Sequence, residues 1–283
     1  NRYAWEGAQV PEQVVLAKLY EADRAVRKAA AASVTNGLHA VERTTTYIAN
    51  TLLADKASDD GLRKYRGWIS SRNMDNQVDD DTVEALIRAV TGSYDIVARY
   101  YRLKRRLLGL DELFDYDRYA PLPAAERRFS WQESREIVLA AYRRFHPRMA
   151  EIAAQFFDGR WIDADVHPGK RSGAFEDDCV PSVHPWVFVN YLGRTDDVMT
   201  VAHELGHGVH AFLARVRGIL LAHTPLTTAE TASIFGETLV FNDLFARERD
   251  AKVKLAMLVR EIESGFATVF RQVAMNRFEE AMH

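Results

Sequence analysis

His203-Glu204-Leu205-Gly206-His207 lies inside an apolar stretch, residues 198–213, that reads as one helix. Two histidines four residues apart fall on one helix face, one turn apart. Their imidazoles can grip one metal ion together. Glu204 is turned about 100° around the axis from its neighbours, so its carboxylate can reach a water at the metal without being a ligand. H-E-x-x-H on a helix is the layout of a zinc-dependent peptidase. The bare motif also fits a solvated histidine pair on an amphipathic helix. Gly206 argues against that: glycine inside a helix costs about 1 kcal/mol relative to alanine, which predicts a close neighbour there. Four of the nine histidines, His203, His207, His210 and His223, cluster in this region.

A tetrahedral catalytic zinc needs a third protein ligand and one open position. The extended pattern with Gly and His further along the same helix is absent, because Val209 and Leu213 occupy those places. A second helix can supply a glutamate instead. The segment Thr227-Thr-Ala-Glu230-Thr-Ala-Ser233-Ile-Phe-Gly236-Glu237 follows Pro225, and Thr227 or Thr228 can cap it. Glu230 is the expected third metal ligand. Glu237, seven residues on and on the same face, is the expected carboxylate behind a ligand imidazole. The spacing of Thr227 and Glu230 also fits a capping box, and Glu237 also fits a solvated helix position.

At this point the ordered set of motifs resembles the thimet oligopeptidase and oligoendopeptidase F family, with the oligoendopeptidase F branch the nearer. The resemblance is carried by His203-Glu-Leu-Gly-His207-Gly-Val-His210, then Ala229-Glu230-Thr-Ala-Ser233 and Glu237. It extends to Tyr100-Tyr-Arg-Leu-Lys104 through Gly109, to Tyr116-Asp117-Arg-Tyr-Ala-Pro121-Leu, and to Trp161-Ile-Asp163. Pro168-Gly-Lys-Arg171-Ser-Gly173-Ala-Phe175, His184-Pro-Trp-Val-Phe-Val-Asn190-Tyr191, Phe270-Arg-Gln272 and Phe278-Glu279 follow in order. The resemblance implies a mainly α fold. Its zincin-like catalytic lobe has a small β-sheet beside the H-E-x-x-H helix, and a helical lobe covers the cleft. It implies a zinc-dependent metalloendopeptidase acting on short oligopeptides, one Zn2+ per chain, with Glu204 as general base. A zinc-binding but catalytically impaired peptide-binding fragment or homologue is the alternative.

The family completes its site with a later segment bearing Tyr and His donors to the substrate carbonyl. The sequence stops at His283, directly after a strong helical pattern over 253–282, and it begins at Asn1. The chain therefore reads as an internal piece of a longer enzyme without those donors. Loss of one oxyanion donor typically costs about 10²–10³ in rate.

The composition, 47% hydrophobic and 27% charged over 283 residues, is that of a globular protein able to bury a sizeable core. A formal net charge of −3 points to neither nucleic acid nor an anionic membrane as partner. Oligomeric state is not legible. The single cysteine, Cys179, permits no intrachain disulfide, which suits a reducing cytoplasm. It reads as an idle thiol rather than a nucleophile. No apolar run reaches the roughly 18 residues of a membrane span.

Helical periodicity dominates the first part. One helix is expected over 11–33, stopped by Val34-Thr-Asn-Gly37, and a second over 38–54. Ser58-Asp-Asp-Gly61 and residues 73–81 read as loops or helix starts. Asp81 caps a long helix to about 108, ended by Gly109. Ser130-Trp-Gln-Glu133 is a capping box for a helix to about 157, broken near Pro147. Strand character appears at 160–166 and 186–192. Asp115-Tyr-Asp117 and Pro121-Leu-Pro123 mark a boundary between a helical lobe, 1–120, and a zinc-binding catalytic lobe, 121–283.

An extended peptide can pair with a strand edge beside a metal site. The strand from His184 to Tyr191 is the expected edge, with His184, Tyr191, His210 and Gly173 as expected substrate contacts. It also fits a plain core strand. Lys170 and Arg171, in the glycine-containing loop 169–175, either attract a peptide carboxylate or form a solvated basic turn.

Overall fold

The computed structural model describes residues 2–122, 127–167 and 169–283. Pro123 and Pro168, which figured in the boundary and loop motifs above, lie outside them. Among the described residues the fold is mainly helical with two small sheets. The chain divides into two compact units, Asn1–Pro123 with Leu255–His283, and Ala124–Lys254. Residues 255–283, placed above with the metal-binding lobe, thus pack within the first unit.

The first unit opens with an unforeseen hairpin, β1 (Arg2–Trp5) and β2 (Ala8–Pro11), paired with Tyr3 opposite Val10. Its two-residue turn, Glu6-Gly7, has positive φ at both positions, the twist a tight hairpin demands. The helix expected over 11–33 is two: α1 (Glu12–Ala17) and α2 (Arg24–His39). Asp23 separates them, its carboxylate accepting from the Ala25 N–H at 2.8 Å. The stop expected at 34–37 is absent, because α2 runs on to His39. Gly37 is there for packing: a Cβ on it would sit 2.4 Å from the buried Tyr3 ring.

α3 (Glu42–Arg63) carries straight through the loop expected at 58–61. Lys56 with Asp60 at 2.6 Å and Arg63 with Asp59 at 2.9 Å bridge successive turns there. After α4 (Ser70–Asp75), the long helix expected from Asp81 is two, α5 (Asp80–Thr91) and α6 (Tyr94–Leu107), interrupted at Gly92-Ser93. Asp79 rather than Asp81 caps α5, accepting from Thr82 N at 2.7 Å. Gly109 follows α6 with φ +66°, as expected of a helix stop.

Polar side chains hold this unit's interior. Asp117, fully buried, takes Arg24 and Arg27 at 2.8 Å each. Burial opposes its charge, but the two arginines prevail and hold its carboxyl below the usual range. Fully buried Lys104 on α6 donates to the Arg118 carbonyl and to Glu263 of α11 (Ala251–Gly265). Tyr100 donates to the same carboxylate at 2.7 Å. A π-helical stretch, Phe266–Arg271, then joins α11 to α12 (Gln272–Met282).

In the second unit α7 (Trp131–Phe145) starts at the expected capping box. The Ser130 hydroxyl accepts from Glu133 N at 3.2 Å, and Ser130 N donates to the Glu133 carboxylate at 2.7 Å. The expected break falls at His146, in extended conformation before Pro147, and α8 (Pro147–Asp158) follows. The small sheet comprises β3 (Ile162–Asp163), β4 (Phe175–Asp177) and β5 (Trp186–Phe188) in the order β3-β5-β4. β3 runs parallel to β5, and β4 antiparallel. α9 (Thr195–Ala214) and α10 (Leu226–Arg247) complete the unit. Its core is Val138, Tyr142, Phe156, Val187, Val189, Val198, Val201 and Leu205. No helix among the described residues is long and apolar enough to cross a membrane.

Candidate metal centre

α9 buries one side, including Val198, Val201, Ala202, Leu205 and Val209. That leaves His203, His207 and His210 half-buried along the other. α10 crosses α9 at backbone contact. A Cβ on Gly206 would stand 2.7 Å from the Ala232 carbonyl oxygen and from Ser233 Cα. A Cβ on Gly236 would meet the Tyr142 hydroxyl at 2.4 Å and the Ala202 carbonyl at 3.1 Å. The close neighbour predicted at Gly206 is therefore the second helix. Tyr142 of α7 wedges against both helices and donates to the Ala202 carbonyl at 2.6 Å. Gly206→Ala is expected to destabilise the fold by about 1–3 kcal/mol, the usual cost of overpacking. Urea unfolding measures it, and an unchanged midpoint would contradict the contact.

This approach brings three donors together. Among the described residues, His203, His207 and Glu230 offer ligand atoms all within 4.8 Å of one another. Glu230 Oε2 lies 3.4 Å from His203 Nε2 and 3.6 Å from His207 Nε2. Donors held at zinc–ligand distances around a tetrahedral ion are separated by roughly 3.4 Å, so this set fits such an ion. Ser233, fully buried, shares its one O–H between Glu230 Oε2 at 2.9 Å and the Glu230 carbonyl at 3.0 Å, and the former contact aims the carboxylate. Pro225 stands at the N-cap of α10 and has no side-chain group with which to cap it. The Thr228 hydroxyl donates to the Pro225 carbonyl.

Glu237 stands 3.0 Å from His203 Nδ1. A carboxylate only accepts, so Nδ1 donates to Glu237, which leaves Nε2 as the ring atom that could ligate a metal beside Glu230. Burial disfavours the His203 imidazolium, but Glu237, Glu204 and Glu230 outweigh it and raise its pKa. Burial prevails at His207, reinforced by His203 and His210, and lowers its pKa despite Glu230. Glu204 is only 7% exposed. Burial pushes its carboxyl up to about 7, with His203 opposing and Glu230 and Glu237 assisting.

The expected substrate residues sit differently. His184 stacks on Trp161, ring centroids 4.1 Å apart, with Nδ1 3.0 Å from the Pro185 carbonyl. The Tyr191 hydroxyl donates to the Phe129 carbonyl at 2.8 Å. The Gly173 carbonyl accepts from Asn190 at 2.9 Å, with φ +89° at Gly173. Lys170 is a clamp rather than a free cation: its ammonium meets Asp163 and the carbonyls of Asp165 and Val189 at 2.8–2.9 Å. His210 Nδ1 is buried with no hydrogen-bond partner among the described residues. The pairing edge expected over 184–191 is already occupied. Val187, Val189 and Tyr191 donate to the Trp161, Asp163 and Ala164 carbonyls, and β4 covers the other side of 186–188. Among the described residues the unpaired edge of this sheet beside α9 belongs to β4.

β4 carries a residue the sequence did not single out. Glu176 Oε1 is buried without a hydrogen-bond partner among the described residues. Burial, then Asp178, Asp177 and Glu204, push its carboxyl up to about 8. No periodicity marks a three-residue strand, so nothing in the sequence flagged Glu176. Cys179 is exposed, and slight burial with Asp177 raises its thiol pKa, which disfavours the reactive thiolate.

The model of peptidase family M3 matches residues 17–283. The chain belongs to peptidase family M3. Over 262 residues it is 27% identical to the chromosomal oligoendopeptidase F of Lactococcus lactis subsp. cremoris, covering 92% of this chain and 43% of that protein. It is 26% identical over 230 residues to the oligopeptidase PepF of Bacillus subtilis, covering 78% and 33%. The crystal structure of oligoendopeptidase-F from Enterococcus faecium superposes with a TM-score of 0.67 at 21% identity, over all of this chain and 45% of that one. The chain thus spans less than half the length of these M3 relatives, and the structural likeness is one of fold.

Proposed function

We propose that this M3 protein is a zinc-dependent endopeptidase of short oligopeptides, with His203, His207 and Glu230 as metal ligands and Glu204 as general base. The observation that carries the reading is the approach of both imidazole Nε2 atoms to one Glu230 oxygen, at 3.4 and 3.6 Å. When bound, zinc would serve as a Lewis acid toward the scissile carbonyl and the attacking water. Glu204 takes a proton from that water as it adds to the carbonyl carbon, then returns it to the leaving amine nitrogen as the C–N bond breaks. Glu237 holds His203 through Nδ1, and Ser233 holds Glu230. The outer edge of β4 offers backbone groups to an extended peptide, which accommodates many sequences. One cysteine in 283 residues accords with a cytoplasmic setting.

The test uses the protein in its full natural length. A quenched fluorescent peptide is expected to be cleaved, cleavage to stop with chelator, and zinc to restore it. Elemental analysis is expected to give one zinc per chain. Cleavage indifferent to chelator would refute the reading. Glu237→Ala is expected to weaken zinc binding 10- to 100-fold, as loss of an outer-shell partner does. Chelator competition measures this, and unaltered affinity would remove Glu237 from the site.

A further inference from the structure

We propose that Glu176 is a specificity residue that selects peptides carrying a lysine or arginine side chain at the position paired beside it on β4. This rests on the endopeptidase reading and names the substrate class of the same site. Glu176 lies directly opposite Val187 in the antiparallel β4–β5 pair. Directly opposed residues of such a pair project from the same face. Val187 is 1% exposed, so Glu176 also points inward, toward the side on which α9 packs against β4 and β5. There its Oε1 has no partner among the described residues. A buried carboxyl oxygen left unpaired is costly unless a ligand or water meets it.

The free edge of β4 supplies the ligand's path. A peptide extended along that edge places every second side chain on the α9 side. The residue opposite Glu176 then has its Cβ about 5 Å from that of Glu176, within reach of a long cationic side chain. The surroundings choose cation over neutral donor: Asp177, Asp178 and Glu204 all add negative potential at Glu176. An ammonium or guanidinium favours the ionised carboxylate, whose proton is released to solvent on binding, and so satisfies the orphan oxygen and offsets the surrounding negative charge together. A substrate carboxylate at the same position meets the same field as repulsion.

The experiment compares matched peptides in which each residue flanking the cleaved bond is in turn Lys, Arg, norleucine or Glu. In the full-length, zinc-loaded protein, one position is expected to favour Lys and Arg over norleucine at least 10-fold in kcat/KM, with Glu the poorest. In Glu176→Gln the Lys-to-norleucine ratio is expected to fall to near one, and Glu176→Asp to restore part of it. A parallel arm measures binding of the Lys and norleucine peptides by calorimetry in Glu204→Gln, with and without Glu176→Gln. If the protein cleaves nothing, the peptidase reading fails while the binding arm still reports on Glu176. Absence of a cationic preference both in cleavage by the wild-type protein and in binding to Glu204→Gln overturns the proposal. So does a preference that survives Glu176→Gln.

Discussion

Glu204→Gln is expected to retain one zinc per chain and to lose roughly 10²–10⁴ in the rate of peptide hydrolysis. The substitution preserves shape, so the packing of α9 against α10 has no reason to change. It removes the one property the mechanism needs, a carboxylate that accepts a proton and later donates it. Glu204 contributes no atom to the His203, His207 and Glu230 donor set, so metal content is predicted to hold. Elemental analysis and quenched-peptide kinetics on the same preparation separate the two. Hydrolysis within tenfold of wild type would show the base to be another residue, and loss of zinc would show that Glu204 holds the metal.

His203→Ala has the opposite signature. It deletes one of three donors and leaves Glu237 without the Nδ1–H that it faces at 3.0 Å. The loss of zinc affinity is expected to exceed the 10- to 100-fold typical of outer-shell changes, reaching roughly a thousandfold or more. Zinc stabilises the folded chain by mass action, so the upward shift in melting temperature on adding zinc should vanish in the variant. His223→Ala is the control. Its ring lies against Asp178, 3.4 Å away and highly exposed, and zinc content should be unaffected. A His203→Ala protein that binds zinc as tightly as wild type would dismantle the ligand assignment.

Where local chemistry was strong, the sequence was readable. The Ser130–Glu133 box and the His146-Pro147 break need only neighbouring residues, and both appear as expected. The helix break at Asp23 leaves little trace in the sequence because an aspartate cap competes with continuous apolar periodicity, and the break at Gly92-Ser93 leaves as little; the start of α5 differs only in its cap, Asp79 in place of Asp81. The run 58–61 reads as a turn by composition, yet two lysine- or arginine-to-aspartate pairs across a helical turn keep it helical. Gly37 reads as a stop, but its role depends on Tyr3, which is 34 positions earlier in the chain. β5 falls within the strand character at 186–192, but the three-residue β4 is too short for any period to show, and so nothing in the sequence reveals that β4 covers the other side of β5.

The motif on α9, the spacing of Glu230 from Glu237 and the place of Gly206 were all legible in one dimension, because a helix converts sequence interval into direction. Which groups meet across helices was not. The bond from the Tyr142 hydroxyl to the Ala202 carbonyl, the inward turn of Glu176 and the capture of Lys170 by the Val189 carbonyl arise from packing between separate segments of the chain. Side-chain periodicity says which way a residue faces within its own element. Only the approach of another element decides what it faces.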